Sequence, residues 1–267
     1  MSDARATRAR RVSDVGGAVG GAVGEAVGRN VGGAVGGAVG RNVGEAVGGA
    51  VGRNPQGARV AALVLAAGEG SRFRAGPKLL APFRCRPLLS WAVGRPLEAG
   101  LPVVIVRGAV DLTEALADFG AAVTVVDNPR WKEGQATSLR AGIAWCDAAG
   151  FDAVVVGLGD QPLVPSSAWR AVADAELAPI VSASFRGRKR PPVRLDRRVW
   201  PLLSRVGDDG ARELMRRRPD LVAAVACEGD PTDIDTAEEL EAQERREDAG
   251  SPGSHGSELR NEVSGWS

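Results

Sequence analysis

A glycine-rich, basic segment follows the first apolar run of the chain and has the residue types that bind a polyphosphate. After Val60–Ala66 the sequence reads Ala67-Gly68-Glu69-Gly70-Ser71-Arg72, and Lys78 follows closely. Glycines let backbone N–H groups approach an anion, and Arg and Lys supply positive charge. The segment is longer and more basic than a simple connection of about 2–6 residues. We therefore predict a phosphate-binding loop, with a plain glycine-rich turn as the alternative.

Two familiar phosphate-binding motifs are excluded by single residues. A P-loop requires Lys directly after Gly and before Ser or Thr, whereas Lys78 lies between Pro77 and Leu79. A dinucleotide-binding fingerprint requires a third glycine at the position of Phe73. The loop therefore belongs to neither class.

The only histidine, His255, lies in a polar C-terminal stretch. Ser-His-Asp triads, Cys-His dyads and histidine-rich zinc sites are therefore not expected. Any catalysis must use carboxylates, Lys, Arg, backbone amides and a hard metal ion. The formal net charge of +1 over 267 residues gives no global basic field, so neither nucleic acid nor a membrane surface is an expected partner.

The three cysteines, Cys85, Cys146 and Cys227, are far apart and form no CxxC pair, which is typical of a reducing compartment. The sequence has neither an apolar run of about 18 residues nor a secretory h-region near its start. We therefore predict a cytoplasmic protein without a membrane span.

The chain is predicted to contain one folded domain between two low-complexity segments. Residues 15–54 repeat every four positions with valine followed by glycine, and glycine costs about 1 kcal/mol per residue in a helix. Residues 1–57 are therefore expected to be a disordered extension, with a weak self-association or partner arm as the alternative. Residues 243–267 are expected to form a disordered tail.

Residues 58–242 alternate short β-branched runs with stretches of helical period. This alternation predicts an α/β domain with a doubly wound, mostly parallel sheet, as in Rossmann-like folds. The expected strands are 60–66, 102–106, 121–126, 152–157, 180–184 and 221–227, and the expected helices are 88–99, 112–119, 138–149, 166–177, 195–205 and 211–217.

Five segments in order resemble the MobA-like nucleotidyltransferases, which have the nucleotide-diphospho-sugar transferase fold. They are Ala66-Ala67-Gly68-x-Gly70-x-Arg72-Phe73 with Pro77-Lys78-Leu79-Leu80; Asn128-Pro129 with Glu133-Gly134 and Ser138-Leu139-Arg140-Ala141-Gly142; Gly159-Asp160-Gln161-Pro162; Pro191-Pro192-Val193 with Gly207–Arg212; and Asp233-Ile234-Asp235-Thr236. The first and third of these are most similar to the cytidylyltransferases of the molybdenum cofactor. Two positions depart from the family pattern: Arg74 and Ala75 lengthen the loop before Gly76, and Ala237 replaces a common proline.

The resemblance implies a set of site residues. Lys78, Arg72 and Asp160 would be catalytic, and nucleotide contacts would come from Ala66, Ala67, Gly68, Glu69, Gly70, Ser71, Arg72, Lys78 and Ser138. Mg²⁺ would be held by Asp160 and Asp235, because it takes one or two carboxylates together with substrate phosphates. A turn or N-cap role is the alternative for Asp160, and Asp233 is the alternative second ligand. Either Asp233 or Asp235 could instead cap a helix near Thr236.

The resemblance also implies a reaction: transfer of CMP from CTP to molybdopterin with release of pyrophosphate. Transfer of GMP or another NMP to a different phosphorylated small molecule, and a non-catalytic nucleotide-binding protein, are the alternatives. The basic run at 186–190 is either an acceptor contact or a solvated loop. A molybdoenzyme or its chaperone is a further possible partner.

Overall fold

The computed structural model describes residues 52–250 except 71, 74 and 75, and for residues 247–250 only the backbone is described. Most of the predicted extension and the end of the predicted tail therefore lie outside the described residues. Residues 52–57, which the sequence assigned to the extension, contact the domain. Val60 N–H donates to the carbonyl of Gly52 at 2.9 Å, and the buried Asn54 side chain donates to Glu176 at 2.6 Å.

The elements alternate along the chain as expected. The strands are β1 (Val60–Ala66), β2 (Pro82–Phe83), β3 (Arg86–Pro87), β4 (Val103–Arg107), β5 (Val123–Asp127), β6 (Ala153–Leu158), β7 (Ile180–Phe185), β8 (Arg188–Asp196) and β9 (Val222–Ala226). The α-helices are α1 (Leu88–Glu98), α2 (Gln135–Ala148), α3 (Ser166–Asp174), α4 (Arg212–Arg217) and α5 (Ala237–Gly250).

Within the described residues the central sheet has seven strands in the order β5-β4-β1-β6-β8-β7-β9. The pairs β1–β4, β1–β6, β4–β5 and β7–β9 are parallel, and β8 is antiparallel to both of its neighbours. β1 is fully buried along its length, because it lies in the middle of the parallel part of the sheet. The carboxyl ends of β1 and β6 are therefore adjacent at one edge.

Helices cover both faces of this sheet. On one face, alternate residues of β1 pack with Leu89 and Val93 of α1 and with Trp169 and Val172 of α3. On the other face α2 approaches so closely that a Cβ at Gly142 would collide with Leu63. The sheet is thus doubly wound and mostly parallel, as the sequence predicted.

Strand β8 was not predicted, because its sequence begins with a basic run and contains two prolines. The register explains how the prolines are accommodated. Ser182 pairs with Val193 and Ala183 pairs with Arg190, so Pro191 and Pro192 lie in a bulge and occupy no ladder position. Of strand β8, only residues 193–196 pair with β6, and these residues follow the prolines.

Two predicted helices were wrong. Residues 112–119 form turns and then a 3₁₀ helix (Ala117–Ala122), in which Gly120 has a φ of 48°, a value that an α-helix does not allow. Residues 195–205 begin inside β8 and continue as a 3₁₀ helix (Arg197–Leu202) that contains Pro201. Proline lacks the N–H that an α-helix would need there. In the described part of the chain no helix has the length and apolar character needed to cross a membrane.

Candidate active site

The glycine loop, residues 67–72, follows the carboxyl end of β1, and its residues Gly68, Glu69, Gly70 and Arg72 line an open cleft. Gly70 has a φ of +65°, and a Cβ there would lie 2.8 Å from the Cβ of Lys78. A larger residue would therefore be strained and would also displace the lysine. The carbonyl of Gly70 accepts a hydrogen bond from Phe73 N–H at 2.8 Å, which closes the turn.

Lys78 joins the two predicted metal ligands. Its Nζ donates to Oδ2 of Asp160 at 2.6 Å and to Oδ1 of Asp235 at 2.9 Å, and the ammonium-bearing side chain is only 9% exposed. Nη1 of Arg72 lies 2.9 Å from the other oxygen of Asp235, on a side chain that is 76% exposed. We call Asp160 and Asp235 the carboxylate pair. Residues that are distant in sequence thus meet at one point beside the glycine loop.

Asp160 reaches this point because it follows β6, the parallel neighbour of β1. Asp235 reaches it because backbone N–H of Ile234 donates to the carbonyl of Asp160 at 3.0 Å. Ile234 also packs in an apolar cluster with Phe73 of the loop segment. Both carboxylates are therefore held by backbone and core contacts, independently of Lys78.

The helix that follows Asp235 is capped by other residues. Thr236 Oγ1 accepts from the backbone N–H of Glu239 at 3.2 Å, while Glu239 Oε2 accepts from the N–H groups of Thr236 and Asp235. This reciprocal arrangement is a capping box for α5. Asp235 is thus not the cap, and its carboxylate faces Lys78 and Arg72.

Asp233 occupies a different position from Asp235. It lies outside the cleft of the glycine loop and lines a neighbouring cavity that Asp235 also borders. Burial raises the pKa of the Asp233 carboxyl, and the nearby charges of Asp160 and Asp235 raise it further. Of the two alternatives for the second ligand, Asp235 is the one that contacts Lys78.

The charge of Lys78 is stabilised by its partners. Burial lowers the pKa of the Lys78 ammonium, but the charges and hydrogen bonds of Asp160 and Asp235 outweigh this and raise it above the ordinary value of 10.5. Lys78 is therefore a fixed cation in the free protein, not a proton-transfer group near neutral pH.

The carboxylate pair suits a magnesium ion that is completed by substrate. Oδ1 of Asp160 is buried and has no hydrogen-bond partner, which is unfavourable unless a ligand binds there. No group of three or more His, Cys, Asp or Glu side chains among the described residues forms a ready-made metal site. Two carboxylates plus phosphate oxygens are the usual magnesium environment.

The structure does not bring every predicted contact residue into the cleft. Ala66, Gly68, Glu69 and Gly70 line it together with Arg72, whereas Ala67 is buried behind it and bonds through its carbonyl to Ala109 N–H at 3.2 Å. Ser71 and Arg74 lie outside the described residues.

Ser138 lies apart from the cleft. It is buried in the first turn of α2, and its Oγ accepts from the Asn128 amide at 2.9 Å. Ser138 is not among the residues that line the glycine-loop cleft, so its place near the nucleotide stays a prediction. The same Asn128 amide also donates to Thr137, so both hydroxyls hold the start of α2 against the end of β5.

Apolar lining residues were missed by the sequence reading. Leu65, Leu79 and Val110 border the cleft, and Leu65 also borders a second cavity of about 480 Å³. Strand-end residues of this kind give no signal beyond the apolar run in which they lie.

The second cavity is formed by the segments that the resemblance assigned to the acceptor side. It is bordered by Pro191 and Val193 of β8 and by Gly210, Ala211 and Arg212. Ala136 N–H donates to the carbonyl of Gly207 at 2.8 Å, which attaches the 207–212 segment to the start of α2. Two adjacent cavities at one sheet edge can hold two ligands side by side.

Comparisons with known proteins identify relatives of this chain. Nicotine blue oxidoreductase from Paenarthrobacter nicotinovorans is 32% identical over 196 residues, which cover 68% of this chain and 94% of that protein. A molybdenum cofactor guanylyltransferase from Cereibacter sphaeroides is 28% identical over 144 residues, covering 54% of this chain and 70% of that protein.

Solved structures show the same fold. Rv0371c from Mycobacterium tuberculosis superposes with a TM-score of 0.57 at 25% identity, covering 70% of this chain and 98% of that one. Its manganese complex superposes with a TM-score of 0.58 at 23% identity over the same shares of the two chains. Residues 62–222 match the sequence pattern of the MobA-like NTP transferase domain, so this chain belongs to that family.

Proposed function

We propose that this protein transfers a nucleoside monophosphate, CMP from CTP, to the phosphate of a molybdopterin-type acceptor and releases pyrophosphate. The observation that carries this proposal is the meeting of Lys78 with Asp160 and Asp235 beside the glycine loop. Nucleotidyl transfer brings two anions together, so it needs placed positive charge and carboxylates for a metal more than it needs an acid or a base.

In this mechanism the glycine loop presents backbone N–H groups to the phosphates of the triphosphate. Lys78 and Arg72 exchange their carboxylate partners for the β- and γ-phosphates and offset charge on the leaving pyrophosphate. Asp160 and Asp235, released from these cations, would hold Mg²⁺, which would neutralise the α-phosphate during attack. The structure of Rv0371c with manganese supports a divalent cation in this fold.

The acceptor is proposed to bind in the cavity of about 480 Å³ that shares Leu65 with the nucleotide cleft. The similarity to a molybdenum cofactor guanylyltransferase supports a molybdenum cofactor as the acceptor class. The choice of CTP over GTP rests on the Ala-Ala-Gly opening and the Gly-Asp-Gln-Pro turn. A molybdoenzyme or its chaperone would then receive the product.

The test is pyrophosphate release by the full chain with Mg²⁺ and molybdopterin, using CTP, GTP, ATP and UTP in turn. CTP is expected to give the highest kcat/KM, and Asp160→Asn is expected to abolish turnover while the melting temperature is maintained. A preference for GTP would remove the cytidylyl assignment but keep the transferase. Full activity of Asp160→Asn would contradict the metal site.

A second candidate is an oxidoreductase, because the relative that is 32% identical over nearly its whole length bears that name. The glycine loop argues against a nicotinamide dinucleotide there, since Phe73 stands where the third glycine is needed and is buried. Oxidation of NADH or NADPH by the chain with nicotine blue as acceptor, unaffected by Lys78→Met, would favour this candidate over nucleotidyl transfer.

A further inference from the structure

A third cavity adjoins the nucleotide cleft and is bordered by arginines. Four guanidinium side chains, those of Arg186, Arg188, Arg190 and Arg246, border it together with Asp230, Asp233 and Asp235. We call it the arginine cavity. Asp235 also borders the nucleotide cleft, so the two sites share one wall.

The β7–β8 hairpin determines where three of these arginines lie. Arg186 and Gly187 form its two-residue turn with φ values of 49° and 78°, and Phe185 pairs with Arg188 across it. Such turns fix the register of the hairpin. Because side chains alternate along a strand, Arg188 and Arg190 are on the same face of β8. Arg246 comes from the separate helix α5.

Among the described residues these four cations have no carboxylate partner, unlike more than half of the other arginines there. Within the described residues, ion pairs join Arg72, Arg107, Arg130, Arg170, Arg194, Arg197, Arg198, Arg216 and Arg218, among others, to Asp or Glu side chains. No Asp or Glu side chain among the described residues forms an ion pair with Arg186, Arg188, Arg190 or Arg246. All four are exposed.

The carboxylates of the cavity do not neutralise the arginines. Asp235 is already bonded to Lys78 and Arg72. This leaves two carboxylates, those of Asp230 and Asp233, beside four guanidinium groups. The cavity therefore has an excess of positive charge, and planar guanidinium groups from two elements are suited to an oxyanion.

We propose that the arginine cavity, which shares Arg190 with the cavity of about 480 Å³ proposed for the acceptor, binds the phosphate of that acceptor and guides it toward the nucleotide. This inference rests on the proposed function and names the residues that hold its attacking group. A dianionic phosphate must approach the α-phosphate while Lys78 and Arg72 are occupied by the triphosphate, so a second source of positive charge is needed. A concave site beside Asp235 fits a small oxyanion better than the flat contact of an acidic protein.

The test uses calorimetric titration of inorganic phosphate into the full chain and three variants. The double variant Arg188→Ser/Arg246→Ser removes one cation from each element. Lys78→Met removes the cation of the nucleotide cleft. Arg86→Ser is the matched control, because Arg86 is exposed, has no ion pair among the described residues and does not border the cavity.

Phosphate binding is expected to weaken by about tenfold or more in the double variant, since charge-assisted hydrogen bonds are lost. Phosphate binding should persist in Lys78→Met, and the phosphate affinity of Arg86→Ser should equal that of the wild type. Loss in Lys78→Met with no change in the double variant would overturn the inference, because phosphate would then bind only in the nucleotide cleft. Binding of poly-glutamate, but not phosphate, by the same arginines would also overturn it in favour of protein docking.

A second measurement separates this inference from the proposed function. In pyrophosphate-release assays the double variant should raise the KM for molybdopterin about tenfold and leave the Kd for Mg²⁺-CTP unchanged. An unchanged KM would contradict the arginine cavity alone. Failure of the wild type to use any nucleotide would contradict the proposed function, while the phosphate titration would still report on the cavity.

Discussion

The glycine-loop cleft and the arginine cavity share Asp235, but within the described part of the chain the cations of the cleft are paired with carboxylates and those of the cavity are not. In the cleft, Lys78 and Arg72 are within 3 Å of a carboxylate oxygen. In the cavity, four guanidinium groups have no such partner within the described residues. Paired cations are held at fixed positions before a ligand arrives, and unpaired cations provide charge that a ligand can neutralise. The following predictions test this difference.

The largest effect is expected for Lys78→Met. In the proposed reaction Lys78 would offset charge on the leaving pyrophosphate, so its loss should lower kcat by about 10²–10³-fold. Pyrophosphate release measures this, with Lys132→Met as a control, because Lys132 is exposed and lies over the Trp131 ring away from the cleft. Equal activity of the two variants would show that Lys78 only balances the carboxylates.

Gly70→Ala should have the next largest effect. Its new Cβ would lie 2.8 Å from Lys78 Cβ at a positive φ, so the lysine must shift. Turnover should fall about 10- to 100-fold, since small misplacements are costly in catalysis. The free energy of unfolding should fall by about 1–2 kcal/mol.

Gly68→Ala is the stability control for this change, because a Cβ there meets nothing within 4 Å. Its unfolding free energy in urea should stay within about 0.5 kcal/mol of the wild type. Equal destabilisation by both substitutions would mean that the close approach to Lys78 does not matter.

A paired arginine and an unpaired one on the same strand should differ in stability. Arg194 of β8 is buried and lies 3.3 Å from Glu176, whereas Arg188 is exposed and unpaired among described residues. Arg194→Met should lower the unfolding free energy by about 2 kcal/mol. This is less than the loss of a fully buried ion pair would cost, because Glu176 is partly exposed. Arg188→Met should change it by less than about 0.5 kcal/mol. Urea denaturation compares them, and similar losses would remove the distinction.

The smallest effect on stability is expected for Arg72→Ala. Its ion pair with Asp235 is made by a side chain that is 76% exposed, and solvent screens such pairs. The unfolding free energy should change by no more than about 0.5 kcal/mol, although nucleotide turnover should fall. A large loss of stability would show that this contact has a structural role beyond ligand binding.

Sequence reasoning reached the sheet and the glycine loop because both depend on local patterns. Parallel neighbours place their carboxyl ends together, so a loop after one apolar run and Asp160 after another could be expected to meet. Asp235 was reached only through the resemblance, since its position depends on the backbone bond between Ile234 and Asp160. The periodicity of the sequence does not predict that hydrogen bond.

The misses also have physical reasons. Strand β8 was not predicted because prolines and charged residues are unusual in a central strand. The bulge that accommodates the prolines cannot be predicted from composition. Ser138 was placed near the nucleotide through the resemblance, and that placement stays a prediction. Its burial against Asn128 depends on how α2 meets the end of β5, which is a tertiary contact.

The order in which the carboxylate pair is made during synthesis follows from the position of Asp235. Ribosomes extend a chain from its N-terminus, so Lys78 and Asp160 emerge well before the segment that caps α5. A nascent chain that has just completed β9 has every strand of the central sheet, yet its lysine has a single carboxylate to bind. The second carboxylate of the pair is therefore added last, with the segment that leads into α5.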